Sequence, residues 1–337
     1  MSRCQRHLLV PLAPFGERIT IQNKCYEVRS LHKWIIEQNN KKLLVTQTDI
    51  TPEDKQRLIE AYDALPSVQN ILTRDKLIKI YPNLQQETSI NLSRKGYTYI
   101  ALGTFDNLPI LRELYLNNNQ IQELQPGTFN NLPELKRLYL INNKIRGLQP
   151  DIFNNLPRLK ELFLYKNQIQ ELQPGIFNNL PNLEILYLDN NQIRELQPGI
   201  FDNLPNLYHL YLNNNQIRDL LPGAFNNLSN LNKLSLINNQ ISVLQPGIFD
   251  KLLRLQYLYL NNNQIRELHS GIFNNLSLRE LFLYNNQIRE LQPNIFYNLP
   301  NLRCLYLFNN PIRELQPPNV PLANSYYGLS TTVEIRI

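Results

Sequence analysis

The chain has 337 residues, a formal net charge of +6 and 42% hydrophobic residues, which allows about two domains with folded cores. The mild, dispersed positive charge argues against a nucleic-acid-binding protein, which normally needs a concentrated basic patch, and no apolar run approaches the roughly 18 residues of a membrane span. Three widely spaced cysteines, Cys4, Cys25 and Cys304, favour a reducing compartment over a disulfide scaffold.

Residues 1–86 do not repeat, and we predict that they form a small α+β domain with a helical linker. A short strand is expected at residues 19–21. Ser30 can cap a helix whose apolar face includes Trp34. This domain precedes a much longer and more regular part of the chain.

Two further helices are predicted in the same region from their starting residues. Thr51, Pro52 and Asp54 supply a cap, a proline at the first helical position and an acid at the third, so a helix is expected from here to about residue 64. Thr73 begins another helix, with Leu77 on its apolar side.

The order of strand, central helix, loop and second helix resembles a degenerate U-box, a metal-free relative of the RING finger. The likeness is carried by Tyr26 before the central helix, Trp34 within it, and Thr46 and Ile50 in the loop. Leu44 and Asp49 stand near the places where the family has loop prolines. The resemblance implies a ubiquitin ligase with a ubiquitin-conjugating enzyme as partner, and such pairings with repeats are expected in large DNA viruses of amoebae. The other interpretation is a small helical cap that shields the first repeat.

From Leu111 onward a 24-residue unit repeats as L-x-x-L-x-L-x-x-N-x-I-x-x-L-x-x-x-x-F-x-x-L-x-x, and its positions are numbered here from one. One step, from Leu255 to Leu278, is 23 residues, and a degenerate unit with Lys95 in place of the asparagine precedes the first clean copy. Copies begin at Leu111, Leu135, Leu159, Leu183, Leu207, Leu231, Leu255, Leu278 and Leu302.

This pattern resembles the leucine-rich repeat family in its 24-residue, phenylalanine-containing "typical" form. The resemblance implies an α/β repeat fold, a right-handed solenoid with a parallel β-sheet on its concave face, over residues 87–316 in about ten units. Residues 317–337 form a tail whose end, residues 332–337, alternates like a strand. We expect it to cover the open edge of the sheet, because an uncovered edge invites aggregation.

Two invariant columns of the repeat are interpreted as structural. The phenylalanine at position nineteen should form a buried spine, and the asparagine at position nine can satisfy backbone groups of its own and adjacent coils. The asparagine ladder consists of Asn119, Asn143, Asn167, Asn191, Asn215, Asn239, Asn263, Asn286 and Asn310.

Positions three, five and seven lie between the leucines and are predicted to face the concave side. Position five is aromatic in eight of nine units, which suits packing along a strand ladder and equally suits a partner-binding surface. The candidate partner-binding residues are Tyr115, Tyr139, Phe163, Tyr165, Tyr187, Asp189, His209, Tyr211, Tyr257, Tyr259, Phe282, Tyr284 and Tyr306.

No catalytic, cofactor or metal site is predicted. Neither a phosphate-binding loop nor a dinucleotide-binding glycine motif occurs. His7 and His32, with Cys4 and Cys25, lack the spacing of a zinc site.

The favoured function is therefore a non-enzymatic module that binds a partner protein on the concave aromatic face. The alternative is a ubiquitin ligase or adaptor, in which the repeats choose the substrate and residues 1–60 recruit the conjugating enzyme. A third hypothesis, carbohydrate or single-stranded nucleic acid stacked on the tyrosines, is weaker because the face carries both charge signs. No signal peptide is recognisable in residues 1–15, so a cytoplasmic location without membrane partners is expected.

Overall fold

The computed structural model describes residues 18–21, 24–27, 51–54, 56, 71–312 and 333–336. The chain divides into two compact units, Met1–Ile71 and Leu72–Ile337.

The described part of the first unit contains a hairpin and the start of a helix. Strand β1 (Arg18–Ile21) pairs antiparallel with β2 (Lys24–Glu27), which confirms the predicted strand at residues 19–21. The Thr51 hydroxyl accepts a hydrogen bond of 3.0 Å from the Asp54 backbone N–H, as the predicted cap requires. The central helix with Trp34 and the loop of the U-box resemblance lie outside the described residues.

The second unit opens with a short helical segment. After β3 (Ile71–Leu72), helix α1 (Arg74–Ile80) begins at the predicted cap Thr73, whose hydroxyl accepts from the Lys76 backbone N–H at 3.3 Å. A 3-10 turn follows at Leu84–Gln86. The apolar side chains of this segment join the core of the repeats; they are Leu72, Leu77 and Leu84. Residues 72–86, assigned above to the N-terminal domain, thus pack with the repeats.

One parallel sheet of eleven strands follows the chain from coil to coil, as the predicted solenoid requires. Equivalent positions face each other in neighbouring coils, so position four of one coil lies beside position four of the next. The strands are β4 (Ser89–Asn91), β6 (Glu113–Tyr115), β7 (Arg137–Tyr139), β8 (Glu161–Phe163), β9 (Ile185–Tyr187), β11 (His209–Tyr211), β13 (Lys233–Ser235), β14 (Tyr257–Tyr259), β15 (Glu280–Phe282), β16 (Cys304–Tyr306) and β17 (Glu334–Arg336).

Smaller strand pairs lie outside this sheet. β5 (Tyr99–Ile100) pairs with β3, and β10 (Glu195–Leu196) pairs in parallel with β12 (Asp219–Leu220). Between strands the coils consist of turns, so helix contributes little to this unit.

The core of the coils is a stack of identical layers. The repeat leucines and isoleucines are buried. Neighbouring position-nineteen phenylalanines from Phe105 to Phe249, and the pair Phe273 and Phe296, stack with ring centroids 6.0–6.5 Å apart. Removing one such ring typically costs about 3–5 kcal/mol. Because a single coil cannot bury both of its apolar faces, the layers stabilise one another.

The position-nine asparagines satisfy the backbone where each strand ends. Asn191 is representative: its Nδ2 donates to the carbonyls of Leu188 and Leu164 at 3.0 and 3.1 Å, and its Oδ1 accepts from the Ile169 N–H at 3.0 Å. One buried amide thereby links two coils. Such groups carry a penalty of roughly 1–3 kcal/mol when left unpaired.

A second asparagine column, at position eight, has left-handed backbone. Asn190 has φ of 55°, and the same conformation recurs at this position in the clean coils, with Lys166 as the exception to asparagine. Asparagine adopts this conformation at low cost, so the doublet of asparagines ends each strand and turns the chain. The exposed amides also pair between coils, as in Asn142 to Asn118 at 2.8 Å.

Candidate binding face of the sheet

The concave face of the sheet presents alternate residues of each strand. In β6 to β9 the central residue is buried while the residues on either side are half-buried. All the candidate partner-binding residues selected from the sequence are half-buried at positions three, five and seven. The structure therefore brings them together on one face.

The position-five rings form two stacked columns. Adjacent ring centroids lie 4.4–5.0 Å apart, with interplanar angles of 2–18°. The first column contains Tyr115, Tyr139, Phe163, Tyr187 and Tyr211, and the second contains Tyr259, Phe282 and Tyr306. Rings inside a column pack a neighbour on both faces and the end rings on one, yet all of them stay half-buried, so packing and binding are compatible roles.

The second column is widened by position seven. Tyr284 and Phe308 stack at 4.5 Å, and they approach Phe282 and Tyr306 respectively at 6.3 Å. Phe308 was not among the sequence candidates, although its place in the position-seven column could have identified it. The last coils therefore carry a two-by-two aromatic cluster.

The columns are separated at Ser235, which is 1% exposed and lies between Tyr211 and Tyr259 in the strand register. The Ser235 hydroxyl donates to Asn213 Oδ1 at 2.6 Å. Lys233 covers the interruption, with its Nζ 5.5 Å from the Tyr211 centroid and 4.7 Å from the Tyr259 centroid. Sequence reasoning noted the missing ring but not the lysine that occupies its place.

Position three carries charges of both signs. Arg137 pairs with Glu113 at 2.6 Å and with Glu161 at 2.9 Å. Tyr115 donates its hydroxyl to Glu113 at 3.0 Å, and burial together with this bond raises the pKa of Tyr115 to about 12. At the other end of the face, Tyr259 donates to Glu280 at 2.7 Å. At neutral pH these hydrogen bonds hold the hydroxyl groups of Tyr115 and Tyr259 in position.

In the middle of the face, the pKa values of Asp189 and His209 are shifted from their ordinary values. Burial raises the pKa of Asp189 to about 6, although its carboxylate accepts from the Asn213 backbone N–H at 2.8 Å. Burial, and then the charge of Lys233, lowers the pKa of His209. Both groups therefore favour their neutral forms near neutral pH more than they would in water.

Asn261, in the coil after the interruption, is a buried polar side chain with an unused oxygen. It is 1% exposed, and its Oδ1 receives no hydrogen bond from the residues that the structure describes. Asn213, at the same position in an earlier coil, accepts from the Ile237 backbone N–H at 2.9 Å. Asn261 Oδ1 thus differs from its counterpart in Asn213 by lacking a donor among the described residues.

Metal and membrane sites were sought over the same described ranges. They contain no group of three or more histidine, cysteine, aspartate or glutamate side chains placed to hold a metal ion. None of their helices has the length and apolar character needed to span a bilayer.

Comparison with protein families identifies the repeats. A family model described as "Leucine rich repeat" matches residues 85–145, 109–169, 133–193, 157–217, 205–265 and 254–312. A search of curated proteins found no match. The family match spans residues 85–312 and does not extend to residues 1–84 or 313–337.

Solved structures show the same architecture. A structure of the Toll–Spatzle complex, described as a molecular hub in Drosophila development and innate immunity, matches with a TM-score of 0.62 and 25% identity, over 70% of this chain and 36% of that chain. Its glycosylated form matches with 0.61 and 27%, over 72% and 37%. A TLR13–ssRNA13 complex matches with 0.57 and 24%, over 74% and 43%, and shows the fold alone. The chain spans less than half the length of these structures.

Proposed function

The chain belongs to the leucine-rich repeat family, and we propose that it is a protein-binding module that holds a partner protein on the concave aromatic face. The observation that carries this proposal is the pair of half-exposed ring columns, whose rings are ordered by stacking before any partner arrives. Rings that are already fixed lose little conformational freedom on binding.

The chemistry of the face supports a protein partner over other ligands. Aromatic residues dominate the strong contacts of protein interfaces. The charges at position three are of both signs and partly paired, as with Arg137 between Glu113 and Glu161, whereas a phosphate backbone calls for uniform positive charge. The Toll–Spatzle structures provide a related solenoid in a complex named for two proteins.

The proposal is tested by affinity capture with the full chain from lysate of the cells that make it. The test variant carries Tyr139→Ser, Tyr187→Ser and Phe282→Ser, because Ser235 shows that a coil accommodates serine at this position. The control carries Glu171→Ser, Glu267→Ser and Glu290→Ser at exposed position-thirteen sites.

We expect the control to retain the captured protein and the ring variant to lose about 30-fold or more in affinity, which is a hot-spot cost of about 2 kcal/mol. Thermal melting checks that both variants fold. Equal capture by a folded ring variant and the wild type would refute binding on the concave face and leave the ring columns as packing alone.

The ubiquitin-ligase hypothesis depends on residues outside the described part of the chain. Its test is a ubiquitin-transfer assay with the full chain and a panel of conjugating enzymes, compared with a Trp34→Ala variant. Transfer that this substitution abolishes would add an enzymatic role to the binding module.

A further inference from the structure

A slot one ring wide interrupts the aromatic column at Ser235. Ser235 pairs in register with Tyr211 on one side and Tyr259 on the other. Neighbouring strands lie about 4.8 Å apart, so these two rings are separated by two strand steps. Elsewhere in the columns that distance contains an intervening ring, stacked at 4.4–5.0 Å from each neighbour.

The slot is closed by the side chain of Lys233. Its ammonium lies 4.7, 5.5 and 6.0 Å from the centroids of Tyr259, Tyr211 and Tyr257, a distance at which a cation is attracted to ring faces. No ion pair to Lys233 is present among the described residues. Among the described residues the lysine therefore has no carboxylate partner, and it occupies a space shaped for a ring.

An aromatic ring fits this slot better than the ammonium does. A ring stacks on Tyr211 and Tyr259 over its whole face and buries apolar surface, whereas an ammonium must be partly stripped of water to lie there. The displaced lysine then needs a negative partner, which an acidic residue beside the incoming ring supplies.

We propose that the slot between Tyr211 and Tyr259 receives a tyrosine side chain of the partner protein, and that Lys233 pairs with an acidic residue flanking that tyrosine. This inference rests on the proposed binding function and names the recognition element within it. Tyrosine is favoured over phenylalanine because its ring can stack between Tyr211 and Tyr259 while its hydroxyl stays hydrogen-bonded at the wet edge of the face.

The probe is the peptide acetyl-Glu-Glu-Tyr-Glu-Glu-amide, tested against the full chain by NMR titration and saturation transfer. Its comparison peptides replace the tyrosine by alanine or the glutamates by lysines. We expect the acidic tyrosine peptide to bind at least 10-fold more tightly than either. Intermolecular NOEs should join its ring to the rings of Tyr211 and Tyr259. A wild-type chain that does not discriminate among the peptides, or does not bind the probe at millimolar concentration, would overturn the inference.

Two substitutions at one position separate the slot from the rest of the face. Ser235→Phe fills the slot with the ring that other coils carry, and Ser235→Ala keeps it open. We expect Ser235→Phe to lose binding of the probe at least 10-fold and Ser235→Ala to bind as the wild type does.

The same pair, used in the capture experiment, distinguishes the two proposals. If Ser235→Phe captures the partner as well as the wild type while the Tyr139, Tyr187 and Phe282 variant does not, the binding face stands and the slot is rejected. The NOEs to Tyr211 and Tyr259 decide the matter in the wild type if Ser235→Phe does not fold.

Discussion

Asp189 stands at a position where several other coils carry an amide. Asn117 and Asn213 accept a backbone N–H of the next coil through Oδ1, as Asp189 does from Asn213. An amide makes this bond without a charge. The carboxylate must be desolvated to make it, which is the cause of its raised pKa of about 6.

We predict that Asp189→Asn stabilises the fold at pH 7 by about 1–2 kcal/mol, after allowance for partial solvation of the site. Above pH 6 the native carboxylate is charged and penalised. As the pH falls from about 6 towards the ordinary value of 3.8, the native state takes up the proton first, so the penalty and the advantage of the substitution fade together.

Urea unfolding of the wild type and the variant between pH 4 and pH 8 measures this difference. Asp250→Asn, at an exposed site, provides the control and should change stability little at any pH. A stabilisation by Asp189→Asn that does not vary with pH would contradict the electrostatic explanation.

At the scale of single residues, the 24-residue period made most of the concave face predictable from the sequence. A fixed 24-residue period places position five of every coil on one side, so the ring columns follow from the sequence. The contacts of Lys233 did not follow, because they depend on the path of a flexible side chain between coils. The left-handed backbone of the position-eight asparagines was also missed, although the recurring asparagine doublets were its signal.

The C-terminal edge of the sheet is paired by a strand from the tail. β17 lies parallel to β16, with Leu305 opposite Ile335, and Val333 is buried in the core cluster. Tyr306 at this edge donates its hydroxyl to Glu334 at 3.3 Å. The alternation of residues 332–337 predicted a strand that covers the open edge of the sheet, and β17 pairs with β16 at that edge.

We predict that Glu334→Pro increases aggregation and lowers the melting temperature by several degrees, because it removes the Glu334 N–H that donates to the Arg303 carbonyl at 2.7 Å. Glu334→Gln keeps the N–H and serves as the matched control. Light scattering during thermal melting compares the two. Unchanged melting and scattering in Glu334→Pro would argue that β16 needs no cover.

At the scale of the whole solenoid, stability is a sum over coils and their contacts. The solenoid could be predicted well from the sequence because the same pattern recurs in every coil, and each copy supports the assignment of the others. The limit of the N-terminal unit was less predictable, since residues 72–86 lack the repeat and yet contribute Leu72, Leu77 and Leu84 to the same core.

We predict that deletion of residues 159–182, one complete coil, leaves a folded solenoid with a denaturant m value lower by roughly one tenth, in proportion to the surface buried. Deletion of residues 159–170 removes half a coil and puts leucines opposite polar positions, so it should prevent cooperative unfolding. Circular dichroism with urea titration compares the two deletions. If both unfold alike, register between coils does not determine the fold.

The shared register of all the coils also bears on how such a chain can change over generations. Unequal recombination between near-identical coding repeats inserts or removes a complete coil, and the remaining asparagine and phenylalanine ladders close over the junction with their hydrogen bonds and stacking intact. The number of coils can then change between generations while the core of each coil stays the same. Ser235 marks one coil among its copies, so descendants that duplicate or lose that coil would differ in what they recognise while keeping the same fold.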